Sequence, residues 1–197
     1  MAYSKTLICN MALSKIGEGK INSLDEETEQ SRVLNINYDT CLETTLRAFP
    51  WNFAKKAEAL ALVTDETHPN FDYVYQYPSN AVEVLRVFEE GDTDKYRKTE
   101  FIVFTNSTEK LIATDLEDAY VEYTDNVIIP ALYDSSFVNA LVYCLAAEIA
   151  NTLSNNANKA NEMYQKFQLA IISAKQSNAT EGNREFKLSN RYINARY

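Results

Sequence analysis

FVNALVYCLAAEIANTLS, residues 137–154, decides the fold class. From Phe137 to Leu153 thirteen of seventeen residues are apolar, and they fall on every side of a helix, so the segment predicts a helix buried all round. It is shorter than a bilayer span and carries Asn139, Glu148 and Asn151, which places it in a protein core rather than a membrane. Such a helix needs others to cover it. Downstream, residues 157–177 supply an amphipathic partner with Ala160, Met163, Tyr164, Phe167, Ile171 and Ala174 on one stripe. Upstream, residues 4–16 read as a helix with Ser4 as N-cap, Leu7, Ile8, Met11, Ala12 and Ile16 at helical spacing, and Gly17 as the stop. A second helix is announced by Ser23 and Glu26 in capping-box spacing, with Asp25, Glu26, Glu27 and Glu29 at the positive end of its dipole. Its stripe is Leu34, Tyr38, Cys41, Leu42, Leu46 and Phe49; Pro50 ends it, and Trp51 and Phe53 follow where rings wedge between packed elements.

Between these helical ends the period changes. Residues 58–64 and 81–88, and then 100–104, 109–114 and 118–124, mix alternation with β-branched residues, and 101–114 reads as a hairpin around Asn106 and Ser107. The predicted fold is α+β, mainly α: an antiparallel helical bundle formed by both chain ends, an inserted antiparallel β region, and an extended C-terminal tail. The corresponding division is 1–57 and 130–177 for the bundle, 58–129 for the insert and 178–197 for the tail.

Composition narrows the function. The chain of 197 residues is 46% hydrophobic and carries a net charge of −9, which disfavours wrapping a phosphate backbone. Thirteen Tyr and nine Phe suit packing against other proteins. Cys9, Cys41 and Cys144 are an odd, widely spaced set among apolar residues and read as reduced core side chains. With no CxxC pair and one histidine, His68, neither a metal site nor any other cofactor is expected. The opening MAYSKTLICN lacks a secretory pattern, so synthesis in a cytoplasm is expected. No GxSxG, P-loop or GxGxxG pattern occurs. The acidic clusters at 25–29, 89–94 and 115–118 offer carboxylates for glycoside hydrolysis, but such clusters ordinarily make solvated faces. His68 sits in a polar stretch as a loop residue. Trp51, Phe53, Tyr73, Tyr75 and Tyr77 read as rings closing the junction between bundle and sheet, with an aromatic platform for a sugar or base as the alternative.

The tail differs from the body. Residues 178–197 hold four basic and two acidic residues, +2, which leaves −11 on residues 1–177. Phe186, Leu188, Tyr192, Ile193 and Tyr197 lie between arginines with no helical period to bury them, and aromatic anchors with arginines are what a binding segment uses.

The ordered segments ICNMALSKIGEGKINSLDE, LRAFPWNFA (46–54), YQYPSNAVEVLRV (75–87), FVNALVYCLAAEIANTLS and SNRYINARY resemble the tail tubular protein A family, the head-to-tail adaptors of short-tailed bacteriophages. The resemblance implies a virion structural protein rather than an enzyme, synthesised in the host cytoplasm and placed in the tail at the portal vertex. It implies a homo-oligomeric ring of about twelve copies that joins the portal protein to the tail nozzle, with no membrane contact. Genome DNA passes through the ring without sequence-specific binding. By the same resemblance the portal-binding residues are Arg184, Phe186, Leu188, Arg191, Tyr192, Ile193 and Arg196. The alternatives are a connector or head-completion protein of a long-tailed phage, and a tail-associated glycan hydrolase using Glu89, Glu90, Asp92 or Asp94.

Overall fold

The computed structural model describes residues 2–92, 99–154 and 156–181. Four helices, α1 (Lys5–Ile16), α2 (Glu29–Ala48), α3 (Ser135–Ser154) and α4 (Ala157–Glu181), come from the two ends of the chain and flank six strands. α1, α2 and α4 each pack on α3, the central helix predicted above, and bury its Phe137, Leu141, Leu145 and Ile149 completely. α3 has the length and apolarity of a membrane span, and here those properties serve the bundle core. The fold is α+β, with the N- and C-terminal helices packed together around two inserted antiparallel sheets.

Local chemistry sets the helix ends. The Leu7 N–H donates to Ser4 Oγ at 3.1 Å, and Gly17 closes α1 at φ 86°, a left-handed conformation that a side chain would strain. α2 starts later than Ser23 predicts. Glu26 Oε1 does accept from the N–H groups of Asn22 and Ser23, but these bonds close a turn over 22–26. The helix cap is Thr28, whose Oγ1 accepts from the Ser31 N–H at 3.2 Å while its own hydroxyl donates to Ser31 Oγ. Only Glu29 of the predicted acidic group stands in the first turn. The turn is tied back to α1 by Asn10, whose side chain pairs with both the N–H and the carbonyl of Ile21 at 2.9 Å.

Trp51 is fully buried past Pro50, where the chain leaves α2 for the insert. Its indole N–H donates to the Thr45 carbonyl at 2.8 Å, and its ring meets Phe49 and Phe137 edge-on at 5.3 and 5.0 Å. Phe53 extends the cluster to Phe137 and Tyr133.

The insert has two three-stranded sheets. β1 (Lys55–Ala59), β6 (Tyr120–Asp125) and β3 (Ala81–Phe88) form the first, with β6 central; β2 (Tyr73–Gln76), β5 (Lys110–Thr114) and β4 (Phe101–Thr105) form the second, with β5 central. Tyr75 and Ile112 of one sheet share a core with Val87, Val121 and Tyr123 of the other, so the sheets face each other. The β4–β5 hairpin turns at Asn106 as predicted, its Oδ1 accepting from the N–H groups of Thr108 and Glu109. The predicted strand 58–64 contributes only Glu58 and Ala59 to β1. From Leu60 the chain crosses between sheets: the Leu60 N–H donates to Ala119, and the Val63 N–H donates to Val74 of β2, a strand the sequence reading missed. The last helix outruns its predicted end at 177 and reaches Glu181, because no proline or glycine intervenes before Gly182.

Candidate assembly interface

The predicted portal-binding residues Arg184, Phe186, Leu188, Arg191, Tyr192, Ile193 and Arg196 all lie outside the described residues. Their attachment point is described. α4 follows α3 through residues 155–156 and must therefore return antiparallel, so Glu181 comes back to the end of the bundle where α3 begins.

At that end the link between β6 and α3, residues 126–132, lies against the start of α1 and the side of α2. Together they form a cleft of about 810 Å³ walled by Tyr3, Lys5, Tyr38, Asp39, Ile128 and Ile129. The link is pinned at intervals. The Asn126 N–H donates to the Asn80 carbonyl at 2.8 Å, Val127 buries its side chain, and the Tyr133 hydroxyl donates to the Val127 carbonyl at 2.8 Å. A single 3₁₀ turn, Pro130–Leu132, leads into Tyr133. These anchors hold the backbone while leaving Ile128, Ile129 and Leu132 in solvent at 71%, 55% and 56% exposure.

The wall of the cleft is polar. Lys5 Nζ stands 4.3 Å from the Tyr38 ring centroid and 3.4 Å from Asp39 Oδ1, a cation shared between a ring face and an exposed carboxylate. Glu43 pairs with Arg47 one turn on, at 2.9 Å. Beneath them the Tyr38 hydroxyl is buried beside that of Tyr133, and burial raises its pKa. Burial likewise pushes Tyr133 up to about 12. Both phenols stay neutral, so the cleft floor is apolar with hydroxyl edges while charge is confined to the rim.

The other sequence candidates fall elsewhere. His68 packs its ring on Phe71 and Phe104 at 5.4 and 5.1 Å, and its Nδ1 accepts from the Asn70 N–H at 3.3 Å, so it shapes a turn beside the second sheet. Glu89, Glu90 and Asp92 sit in the turn after β3, where Gly91 takes φ 77° and the Asp92 N–H donates to the Glu89 carbonyl; Asp94 lies outside the described residues. In the third acidic cluster Asp115 accepts from the Asp72 N–H at 3.1 Å. Trp51 and Phe53 are packed into the junction, while Tyr75 is buried between the sheets with its hydroxyl on the Leu116 carbonyl at 2.7 Å, so these rings form no open platform. Among the described residues no group of three or more His, Cys, Asp and Glu could hold a metal ion. Cys9, Cys41 and Cys144 are buried free thiols; burial pushes Cys9 up to about 12, and a hydrogen bond to Cys144 together with burial raises Cys41.

The chain matches no protein-family model, and no curated protein is significantly similar to it.

Sequence reasoning passed over Ile128, Ile129 and Leu132 and assigned Tyr164 to the buried stripe of α4. Tyr164 is in fact exposed, as are Leu169 and Ile172 on the same helix. The signal for the link was available: VIIPAL (127–132) is apolar without either a helical or a strand period.

Proposed function

We propose that this protein is a structural head-to-tail adaptor of a short-tailed bacteriophage: a ring subunit, about twelve to a ring, that joins the portal to the tail nozzle and surrounds the DNA exit channel. The observation that carries the reading is the way both chain ends build one bundle around a β insert. The segments that resemble the adaptor family are the ones that hold this arrangement together. ICNMALSKIGEGKINSLDE spans α1 and the turn that Asn10 ties to it, LRAFPWNFA carries the Trp51 junction, and FVNALVYCLAAEIANTLS is α3. A rigid body at the point where the basic, aromatic tail is attached suits a subunit that fixes itself to one partner by an extension and presents other faces to its neighbours. The −11 body suits a channel wall, because a positive lumen would hold phosphates as DNA slides past.

The test is assembly with the cognate portal protein. The full chain should give a closed ring on the portal by native mass spectrometry and electron microscopy, whereas a form ending at Glu181, which keeps α4 whole, should lose the portal. If the full chain stays apart from the portal, or the shortened form binds as well, the reading fails.

A further inference from the structure

Two of the three thiols in the bundle core meet across a helix pair. Cys9 of α1, Cys41 of α2 and Cys144 of α3 are free, buried and part of one cluster. Cys144 reaches over the contact between α3 and α2 and hydrogen-bonds both Cys41 and the Thr45 side chain, which stand one turn apart on α2. The Thr45 hydroxyl in turn donates to the Cys41 carbonyl at 2.7 Å, which holds it beside the thiol pair. Ala140 and Ala147, four residues before Cys144 and three after it, share its face of α3. Such small neighbours let two helix backbones come close, as a disulfide between helices requires.

We propose that Cys41 and Cys144 are a redox lock: a peroxide-class oxidant converts them to a reversible disulfide that ties α2 to α3. The Cys144 thiolate attacks one oxygen of hydrogen peroxide, the O–O bond breaks, and Cys144 becomes a sulfenic acid while hydroxide leaves and takes up the proton that Cys144 gave up. The Cys41 sulfur then attacks the sulfenic sulfur; its own proton and the departing hydroxyl leave as water. Two thiols and one peroxide thus give one disulfide and two waters, with two electrons passing from sulfur to oxygen. Cys144 is the first to react, because the hydrogen bond from Cys41 holds its thiol below the usual range against burial, and because it is 6% exposed where Cys41 is 1%. A small uncharged oxidant suits a pair so enclosed.

The position of the pair gives the bond its effect. α2 and α3 come from opposite ends of the chain, and residues 42–143, with the whole β insert among them, lie between the two sulfurs. Packing holds these helices together in the reduced protein. A disulfide at this level makes the bundle inseparable and closes a loop of about 100 residues in the unfolded chain, the size at which loop closure constrains it most. The lock needs no partner and does not depend on the adaptor reading.

The test treats the folded full-length chain with hydrogen peroxide, removes the excess with catalase and alkylates the remaining thiols in urea. One thiol, Cys9, should remain, the chain should lose the mass of two hydrogens, and non-reducing peptide mapping should join the peptides that hold Cys41 and Cys144. Cys9→Ala should crosslink as the wild type does, whereas Cys41→Ala should stop at a sulfenic acid on Cys144. The thermal midpoint of the oxidised chain should rise by about 10 °C and return on reduction with dithiothreitol. Three thiols that survive in the folded wild type at a dose that oxidises the urea-unfolded chain overturn the pairing, as does a link through Cys9 or between two chains. A chain crosslinked at Cys41 and Cys144 that melts no higher than the reduced one overturns the lock.

Discussion

Replacing Trp51 with alanine removes the largest side chain of the junction between bundle and insert. The residue is fully buried, and deletion of a buried tryptophan costs about 3–5 kcal/mol in transfer and cavity terms. The indole N–H bond to the Thr45 carbonyl, near the end of α2, adds about 1 kcal/mol. The expected total, roughly 5 kcal/mol, is comparable with the whole stability of a marginal domain. Trp51→Phe separates the two parts: it keeps most of the edge-on contact with Phe137 at 5.0 Å and loses the hydrogen bond, for about 1–2 kcal/mol. A double-mutant cycle of Trp51→Phe with Phe137→Leu should return a coupling of about 0.5–1.5 kcal/mol. Urea unfolding followed by far-ultraviolet circular dichroism measures all of these, because Trp51 is the only tryptophan and its fluorescence disappears with it. An alanine variant that loses less than about 2 kcal/mol would refute the idea that this ring is a main anchor of the core.

Stability should fall above pH 10. Folding raises the pKa values of Tyr38 and Tyr133 above the ordinary 10, so the folded state keeps protons that the unfolded chain releases, and the contribution is complete below pH 10 and lost above it. Each tyrosine gives a slope of about 1.4 kcal/mol per pH unit, and for Tyr133 the fall ends near pH 12; denaturation between pH 9 and 11 should show a shallower slope in Tyr133→Phe. The Tyr38 hydroxyl is buried beside that of Tyr133, which also donates to the Val127 carbonyl, so Tyr38→Phe should cost no more than about 1 kcal/mol in urea unfolding, and a loss above about 2 kcal/mol would refute this. Thr28→Ala should cost about 1 kcal/mol as the loss of the α2 cap, measured by thermal melting; equal loss in an Asn22→Ala control, where only a backbone N–H takes part, would argue against a capping role.

Much of this was legible because it is local or periodic. The stripe of α2, the Ser4 cap, the Gly17 stop and the Asn106 turn each depend on residues within one or two turns of chain. β2 was not legible: Tyr73–Gln76 is four residues long and buries both Val74 and Tyr75, which face opposite sides of a sheet covered on both faces, so no alternation marks it. The start of α2 was misread because Ser23 and Glu26 make bonds of the capping-box kind inside a turn, which Asn10 ties to α1 through Ile21 while Ser31 and Asn35 tie it to α2 through the carbonyls of Ser23 and Leu24. The exposed apolar residues were hidden for a related reason. Hydrophobicity reports what prefers burial, not whether this chain supplies the cover.

By itself the sequence determined that a helix apolar on every side must be wrapped by others, that the middle of the chain is β, and that a basic aromatic tail follows an acidic body. These follow from periodicity and charge, which are properties of neighbours along the chain. The tertiary structure decided which helices wrap α3, how β6 and β5 centre two facing sheets, and that Ile128, Ile129 and Leu132 stay exposed beside the cleft. Those relations join residues far apart in sequence, and only the packed chain brings them together.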